Sequence, residues 1–269
     1  MVRAAVAGIA GRMGSRIAQL IQESEGIELA GGFERPDHPK IGSEIAESIG
    51  GAPTGQTIRP SILDVLDLAD VVVDFTSASA SLANLEMAAS RGKPMVIGST
   101  GFSAEQIVRA REMTSDIACV LAPNMSMGVN VLFKVVADVA RLLGEGFDIE
   151  IIEAHHRFKK DAPSGTAIKL AQVAAQAVGR DLKESGVYAR HGMIGERTAT
   201  EIGIQTIRGG DIVGEHTVLF AGMGERIELT HKAHSRENFA RGAIRAARWV
   251  VSQASGLYDM QDVLGISKD

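Results

Sequence analysis

The chain has 269 residues, thirty of them glycine, about 11% against a usual share of roughly 7%. Seven prolines and no three-residue glycine period exclude a collagen helix, while 45% apolar and 23% charged residues exclude a chain too polar to fold. A formal net charge of −5 argues against a basic nucleic-acid surface, and no apolar run reaches the roughly 20 residues of a bilayer span. The start, Met1 to Val6, lacks the apolar stretch of a signal peptide, so the expected location is the cytoplasm. Cys119 is the only cysteine and lies in an apolar run, Ile117 to Leu121, which reads as a buried, bland thiol.

The first half alternates strands and helices. Residues 2–7 are small and apolar, and Met13, Ile17, Leu20 and Ile21 then share one helix face. Strands follow at 27–33, 70–75, 94–97 and 117–121, with a helix at 79–91 and another opened by a capping box at Ser103 to Gln106. Strands alternating with helices predict a parallel sheet covered on both faces, an α/β domain. The character changes near residue 125. A helix pattern at 127–143, a strand at 147–154 and a helix at 166–178 precede three strand-like segments near 200–207, 215–221 and 225–231. Strands without crossover helices predict an antiparallel or mixed sheet, hence an α+β unit. A last amphipathic helix runs from Ser235 to about Gln253.

The first strand ends in Gly8-Ile9-Ala10-Gly11-Arg12-Met13-Gly14, and a helix begins there. Such a loop lets backbone approach a pyrophosphate at the positive end of the helix dipole. Ala10 stands where the dinucleotide fingerprint prefers glycine, and the loop alone also fits a plain tight turn. Glu34, twenty residues after Gly14, strengthens the nucleotide reading, because an acid at the end of the second strand bonds ribose hydroxyls. Arg35 beside it suits the 2′-phosphate of NADP. The pair predicts acceptance of both NADH and NADPH. Gly98-Ser99-Thr100-Gly101 and Ala122-Pro123-Asn124-Met125 follow the 94–97 and 117–121 strands, at the carboxyl edge where open α/β sheets bind ligands. Each is as well explained by a turn.

The densest chemistry is Glu153-Ala154-His155-His156-Arg157-Phe158-Lys159-Lys160-Asp161-Ala162-Pro163-Ser164-Gly165-Thr166. Five basic residues within six positions of an acidic protein suit a small polyanion. The ligand spacings of a zinc site are lacking. Adjacent residues of a strand point to opposite faces, so His155 and His156 differ in role. Ser164, Gly165 and Thr166 open a helix whose N–H groups and hydroxyls suit a carboxylate. Lys159 fits either a second carboxylate or proton donation, and a histidine titrating near neutrality fits general acid–base work. An exposed charged loop with a serine cap is the plainer alternative. His38, His191, His216, His231 and His234 show no partners in the sequence and read as structural or solvent-facing.

These segments together resemble the bacterial dihydrodipicolinate reductase family, over nearly the whole chain. The resemblance rests on the glycine loop, Asp74-Phe75-Thr76, Gly98 to Phe102, Ala122 to Asn124, Glu153 to Thr166, Arg208 to His216 and Gly224 to Ala233. It implies a Rossmann-type domain over 1–125, completed by a C-terminal helix within 235–269. It also implies a substrate-binding and oligomerisation domain over 126–234, and a homotetramer. The implied reaction is NADH- or NADPH-dependent reduction of a cyclic unsaturated imine dicarboxylate. His155 would be proton donor and acceptor, and Lys159 proton donor. His156, Lys159, Ser164, Gly165 and Thr166 would bind substrate. Gly8 to Met13, Glu34, Arg35, Gly98 to Thr100 and Ala122 to Met125 would line the cofactor. Ala10 and Met125 depart from the family pattern, which more often has glycine and phenylalanine there. Two other readings remain: a Rossmann dehydrogenase acting on another amino-acid precursor, and a nucleotide-sensing module without turnover.

Overall fold

The computed structural model describes residues 1–50 and 52–267. The first half contains β1 (Val2–Ala7), α1 (Arg12–Gln22), β2 (Ile27–Phe33), α2 (Ala46–Ile49), β3 (Val71–Asp74), α3 (Ala78–Ser90), β4 (Met95–Ile97), α4 (Ala104–Met113) and β5 (Ala118–Leu121). Then come α5 (Met127–Leu143), β6 (Asp148–His155), α6 (Gly165–Ala177), α7 (Leu182–Ser185), β7 (Gly186–Val187), β8 (Ile202–Arg208), β9 (Gly214–Gly222) and β10 (Glu225–Ala233). The chain ends through α8 (Glu237–Val250), β11 (Gly256–Tyr258) and α9 (Met260–Leu264). It divides into two compact units, Met1–Met127 with Glu237–Asp269, and Gly128–Arg236.

The first unit is a six-stranded parallel sheet in the order β11-β5-β4-β3-β1-β2. Its inner strands are short and mainly apolar because both faces are covered, with Arg3 near the start of β1 the exposed exception. Ala4, Val6, Val71 and Val73 pack with Ile17 and Ile21 of α1 and with Ala243 and Ala247 of α8. Ala5, Val72, Met95 and Ile97 point the other way, onto Leu82 and Leu85 of α3 and Ala110 of α4. The capping box of α4 forms as its sequence predicts, with Gln106 N to Ser103 Oγ at 3.2 Å and Ser103 N to Gln106 Oε1 at 2.9 Å. The C-terminal segment contributes more than the expected helix. Beyond α8, β11 adds a sixth strand beside β5, and α9 follows under an Asp259 cap. Three residues that include a glycine carry no periodic signal, so this strand was invisible to pattern.

The second unit is a five-stranded mixed sheet in the order β10-β9-β6-β8-β7. The β9–β10 hairpin continues antiparallel onto β6. β8 instead runs parallel to β6, because the chain crosses over through α6 between them. Helices α5 and α6 cover one face, where Leu132, Phe133, Val136, Leu170, Ala171 and Ala174 meet Ile149, Ile151, Ile204, Val218 and Phe220. The other face is partly bare, with Ile152 and Ile207 exposed. The loop at 188–201 is anchored on that side by Arg190 to Glu150 and Glu201, and by Arg197 to Asp148 and Glu150. Among the described residues no helix is long and apolar enough to cross a membrane.

Candidate active site

The glycine loop is a main-chain construction. Gly8 takes φ +61°, a left-handed conformation that side chains resist, and a Cβ there would lie 2.9 Å from Thr76 Cγ2. Its N–H donates to Phe33 O at 2.9 Å, and its carbonyl accepts from Gly11 N at 2.9 Å. Gly14, in the first turn of α1, sits on that same carbonyl, and a Cβ would come within 2.1 Å of Gly8 O. Gly11 is the N-cap, and among the described residues α1 has neither a side-chain cap nor an acid in its first turn. The positive end of the helix is thus left for an anion, with no Cβ on Gly8, Gly11 or Gly14 to keep a pyrophosphate away.

Ala10 costs the loop nothing, because it adopts no left-handed conformation. Its N–H donates to Glu34 Oε1 at 3.0 Å, so the acid at the end of β2 is tied to the loop it was expected to complement. Glu34 Oε2 accepts no hydrogen bond among the described residues and is available for a ribose hydroxyl. Arg35 turns outward to an exposed ion pair with Asp37 at 3.0 Å. Residues 98–101 lie beside β3, with Gly98 N donating to Asp74 O at 2.8 Å. A Cβ on Gly98 would penetrate the Phe75 ring, 2.2 Å from Cζ. Asp74 is fully buried and accepts from Thr76 N, Thr76 Oγ1 and Asn84 Nδ2. These residues therefore interlock the turns after β1, β3 and β4.

Several residues expected to line the cofactor have buried side chains. The side chains of Ile9, Ala122 and Met125 belong to the hydrophobic core. Ser99 is buried, with its hydroxyl 2.8 Å from that of Ser81. Only the main chain of these four residues is left to meet a ligand. Arg12, Met13, Thr100, Pro123 and Asn124 keep some exposure.

In the second unit the chemistry is built from side chains. Glu153, on β6, is fully buried. It accepts from both Arg208 Nη atoms at 2.8 Å, Ser164 N at 2.9 Å, Thr206 Oγ1 at 3.3 Å and His155 Nδ1 at 2.6 Å. Burial pushes its carboxyl pKa up. The Arg208 guanidinium, with the His155 and Ser164 hydrogen bonds, overcomes this and holds it at about 2. His155 lies two residues on and on the same face of the strand. Burial drives its pKa below the ordinary value, Glu153 opposes this, and Lys159 and Arg208 add to the lowering. A Cβ on Gly214 would stand 3.0 Å from His155 Nε2, so glycine there keeps the outer nitrogen clear. Lys159 Nζ reaches both Asp161 oxygens at 2.8 Å, and Arg208 also donates to Asp161 O at 2.8 Å. His156 packs obliquely on Phe158, ring centroids 6.3 Å apart.

Ser164 is the N-cap of α6. It is buried, its N–H is given to Glu153, and its Oγ accepts from Ala167 N at 3.1 Å while lying 3.0 Å from His216 Nε2. The hydroxyl expected to meet substrate thus also caps α6. A Cβ on Gly165, the next residue, would meet nothing within 4 Å. His216 is no solvent-facing histidine. It is buried edge-on to His155, centroids 5.2 Å apart, and burial with the nearby His155 lowers its pKa to about 3.

Glu153, Arg208 and His216 frame this cluster, and the motifs that contain them assign them no role. Their signal lies in strand register, since β6 pairs His155 with Arg208 on one side and Glu153 with His216 on the other.

Comparison with known proteins points to one family. Residues 2–125 match the family described as dihydrodipicolinate reductase, N-terminus, and residues 128–264 match its C-terminus. The chain is 71% identical to a 4-hydroxy-tetrahydrodipicolinate reductase of Syntrophobacter fumaroxidans, over 99% of this chain and 100% of that one. It is 57% identical to one of Syntrophus aciditrophicus, over 98% and 99%. A solved structure of a dipicolinate-bound dihydrodipicolinate reductase from Paenisporosarcina sp. TG-14 superposes with a TM-score of 0.77 at 26% identity, covering 97% of this chain and 98% of that one. The chain belongs to the dihydrodipicolinate reductase family.

Proposed function

We propose that this chain reduces the cyclic imine dicarboxylate derived from 4-hydroxy-tetrahydrodipicolinate to tetrahydrodipicolinate, with NADH or NADPH as reductant. The observation that carries the reading is the Glu153–His155–Arg208 cluster with Lys159 beside it: two proton-carrying groups and fixed positive charge next to the helix start at Gly165 and Thr166. The cofactor supplies a hydride when bound, with its pyrophosphate on the glycine loop and its ribose at Glu34. Hydride addition to a conjugated imine leaves an electron pair on the ring, which a proton must meet. Lys159 Nζ and His155 Nε2 are the atoms that give and exchange that proton. Gly165 and Thr166 take one substrate carboxylate. Lys159 takes the second in exchange for Asp161.

The test is oxidation of NADH or NADPH coupled to the synthase that forms the unstable substrate. Turnover is expected with both cofactors. A preference above about a thousandfold, roughly 4 kcal/mol, would reject dual use. Cofactor binding without turnover would favour the sensing module. Turnover only with another amino-acid precursor would favour a different dehydrogenase. The same proposal includes a homotetramer in the cytoplasm, supported by the bare sheet face at Ile152 and Ile207. Sedimentation at several concentrations reads the assembly.

A further inference from the structure

We propose that Glu153 is a positioning residue: its carboxylate fixes the proton of neutral His155 on Nδ1 and thereby makes Nε2 the atom that exchanges protons with substrate. The inference rests on the reductase reading for its kinetic arm alone.

An ionised carboxylate offers acceptors and no donor, so every polar partner of Glu153 must donate. Arg208, Ser164 N and Thr206 do so by their chemistry. His155 Nδ1, at 2.6 Å, must therefore carry a hydrogen, and in the neutral ring Nε2 then holds the lone pair. Arg208 keeps the carboxylate ionised by binding both oxygens at 2.8 Å. That pair alone would satisfy a structural acid. The further bonds go to His155 and to Ser164 N, so one buried group sets the ring and the start of α6 together. The fully buried carboxylate leaves no water to take over either bond. The groups facing His155 are Glu153, Lys159, Arg208 and His216, and of these only Glu153 favours its protonated form. Exposed Asp161 lies one residue group further, behind Lys159.

Nitrogen-15 NMR of histidine-labelled, unsubstituted protein reads the tautomer directly, with His155→Asn assigning the signal. The Nδ1–H form is expected, and an Nε2–H ring would overturn the proposal whatever the turnover. Glu153→Gln presents an amide N–H toward the ring or to Arg208. It should lower kcat by about tenfold to a thousandfold, within the range of acid–base contributions, and leave the KM for cofactor unchanged. The His155 limb of its kcat–pH profile should move to lower pH. A folded Glu153→Gln with the original tautomer and profile would reduce Glu153 to scaffold. If that variant does not fold, the tautomer of the unsubstituted protein decides. The expected tautomer without any reductase turnover would sustain Glu153 and sink the functional reading instead.

Discussion

The glycine loop and the Glu153 cluster solve recognition in opposite ways. At the loop, side chains are missing by necessity: Gly8 and Gly14 leave no room for a Cβ, and the contacts on offer are N–H groups and a helix dipole. At Glu153 the main chain provides a single N–H, and the rest of the work falls to an arginine, a threonine and a histidine. The first site should fail when atoms are added and the second when they are removed.

The sharpest break in that contrast is His155→Ala. Removing the group that exchanges the proton should cut kcat by roughly 10²–10⁴, the usual weight of general acid–base catalysis, with a smaller change in substrate KM. Steady-state kinetics that stay within tenfold of the parent would remove His155 from the chemistry. Lys159→Ala should follow, lowering kcat and raising substrate KM together, because this ammonium both pairs with a carboxylate and carries a proton. A change confined to KM would leave it the first task alone.

Acid should separate the two units. Glu153 has its folded pKa depressed from 4.5 to about 2, so its contribution to stability is present above pH 4.5 and lost as pH falls toward 2. His216 is depressed from 6.5 to about 3. The unfolded ring takes its proton first, and stability falls as pH drops from 6.5 toward 3. Both slopes have the same sign, each approaching about 1.4 kcal/mol per pH unit. In the first unit the carboxylates Asp70 and Glu44 are lowered from 3.8 and 4.5, so their loss begins only below those values, under the 6.5 at which His216 starts to act. Hydrogen exchange in β6 and β9 should therefore accelerate at higher pH than the fluorescence of Trp249 changes. That indole packs on Tyr258 in the first unit. His216→Gln should flatten the exchange response between pH 6.5 and 4.5.

Gly14→Ala probes the main-chain site. A Cβ at 2.1 Å from Gly8 O meets backbone and cannot be relieved by a rotamer change. The overpacking should cost about 1–3 kcal/mol, seen as a lower melting temperature and a cofactor Kd raised about tenfold or more. Turnover at saturating cofactor should suffer less. An equal loss in turnover would mean that the loop also shapes the chemistry.

The same contrast explains what could be read from residues alone. Glycine spacing, the Ala and Val runs of β1 and β3, and the Ser103 box are local, and they located the parallel sheet and its glycine loop. The basic cluster was visible as composition. Its organiser was not, because Glu153, Arg208 and His216 lie 55 and 63 residues apart and meet only through the register of β6 with β8 and β9. Ser164 shows the converse. A serine before a helix was readable as a cap, and its hydroxyl does accept from Ala167 N, but its approach to His216 was not readable. The burial of Ile9 and Met125 likewise depends on packing that their neighbours in sequence do not specify.

The smallest expected effect falls at the edge of the main-chain site, where a side chain does enter. Arg35 is exposed and already paired with exposed Asp37, so its charge is screened and its guanidinium must leave one anion to meet another. Arg35→Ala should therefore weaken NADPH by only a few-fold, within the roughly 0–1 kcal/mol of an exposed ion pair, and leave NADH unchanged. Asp37→Ala should move NADPH the other way by releasing the same guanidinium. Titrating both cofactors into both variants at two salt concentrations checks the pairing, since the NADPH difference should shrink as salt rises. Loss of NADH binding in Arg35→Ala would instead show Arg35 acting on the shared adenosine, and would place a second side chain beside Glu34 among the contacts of a site made mostly of backbone.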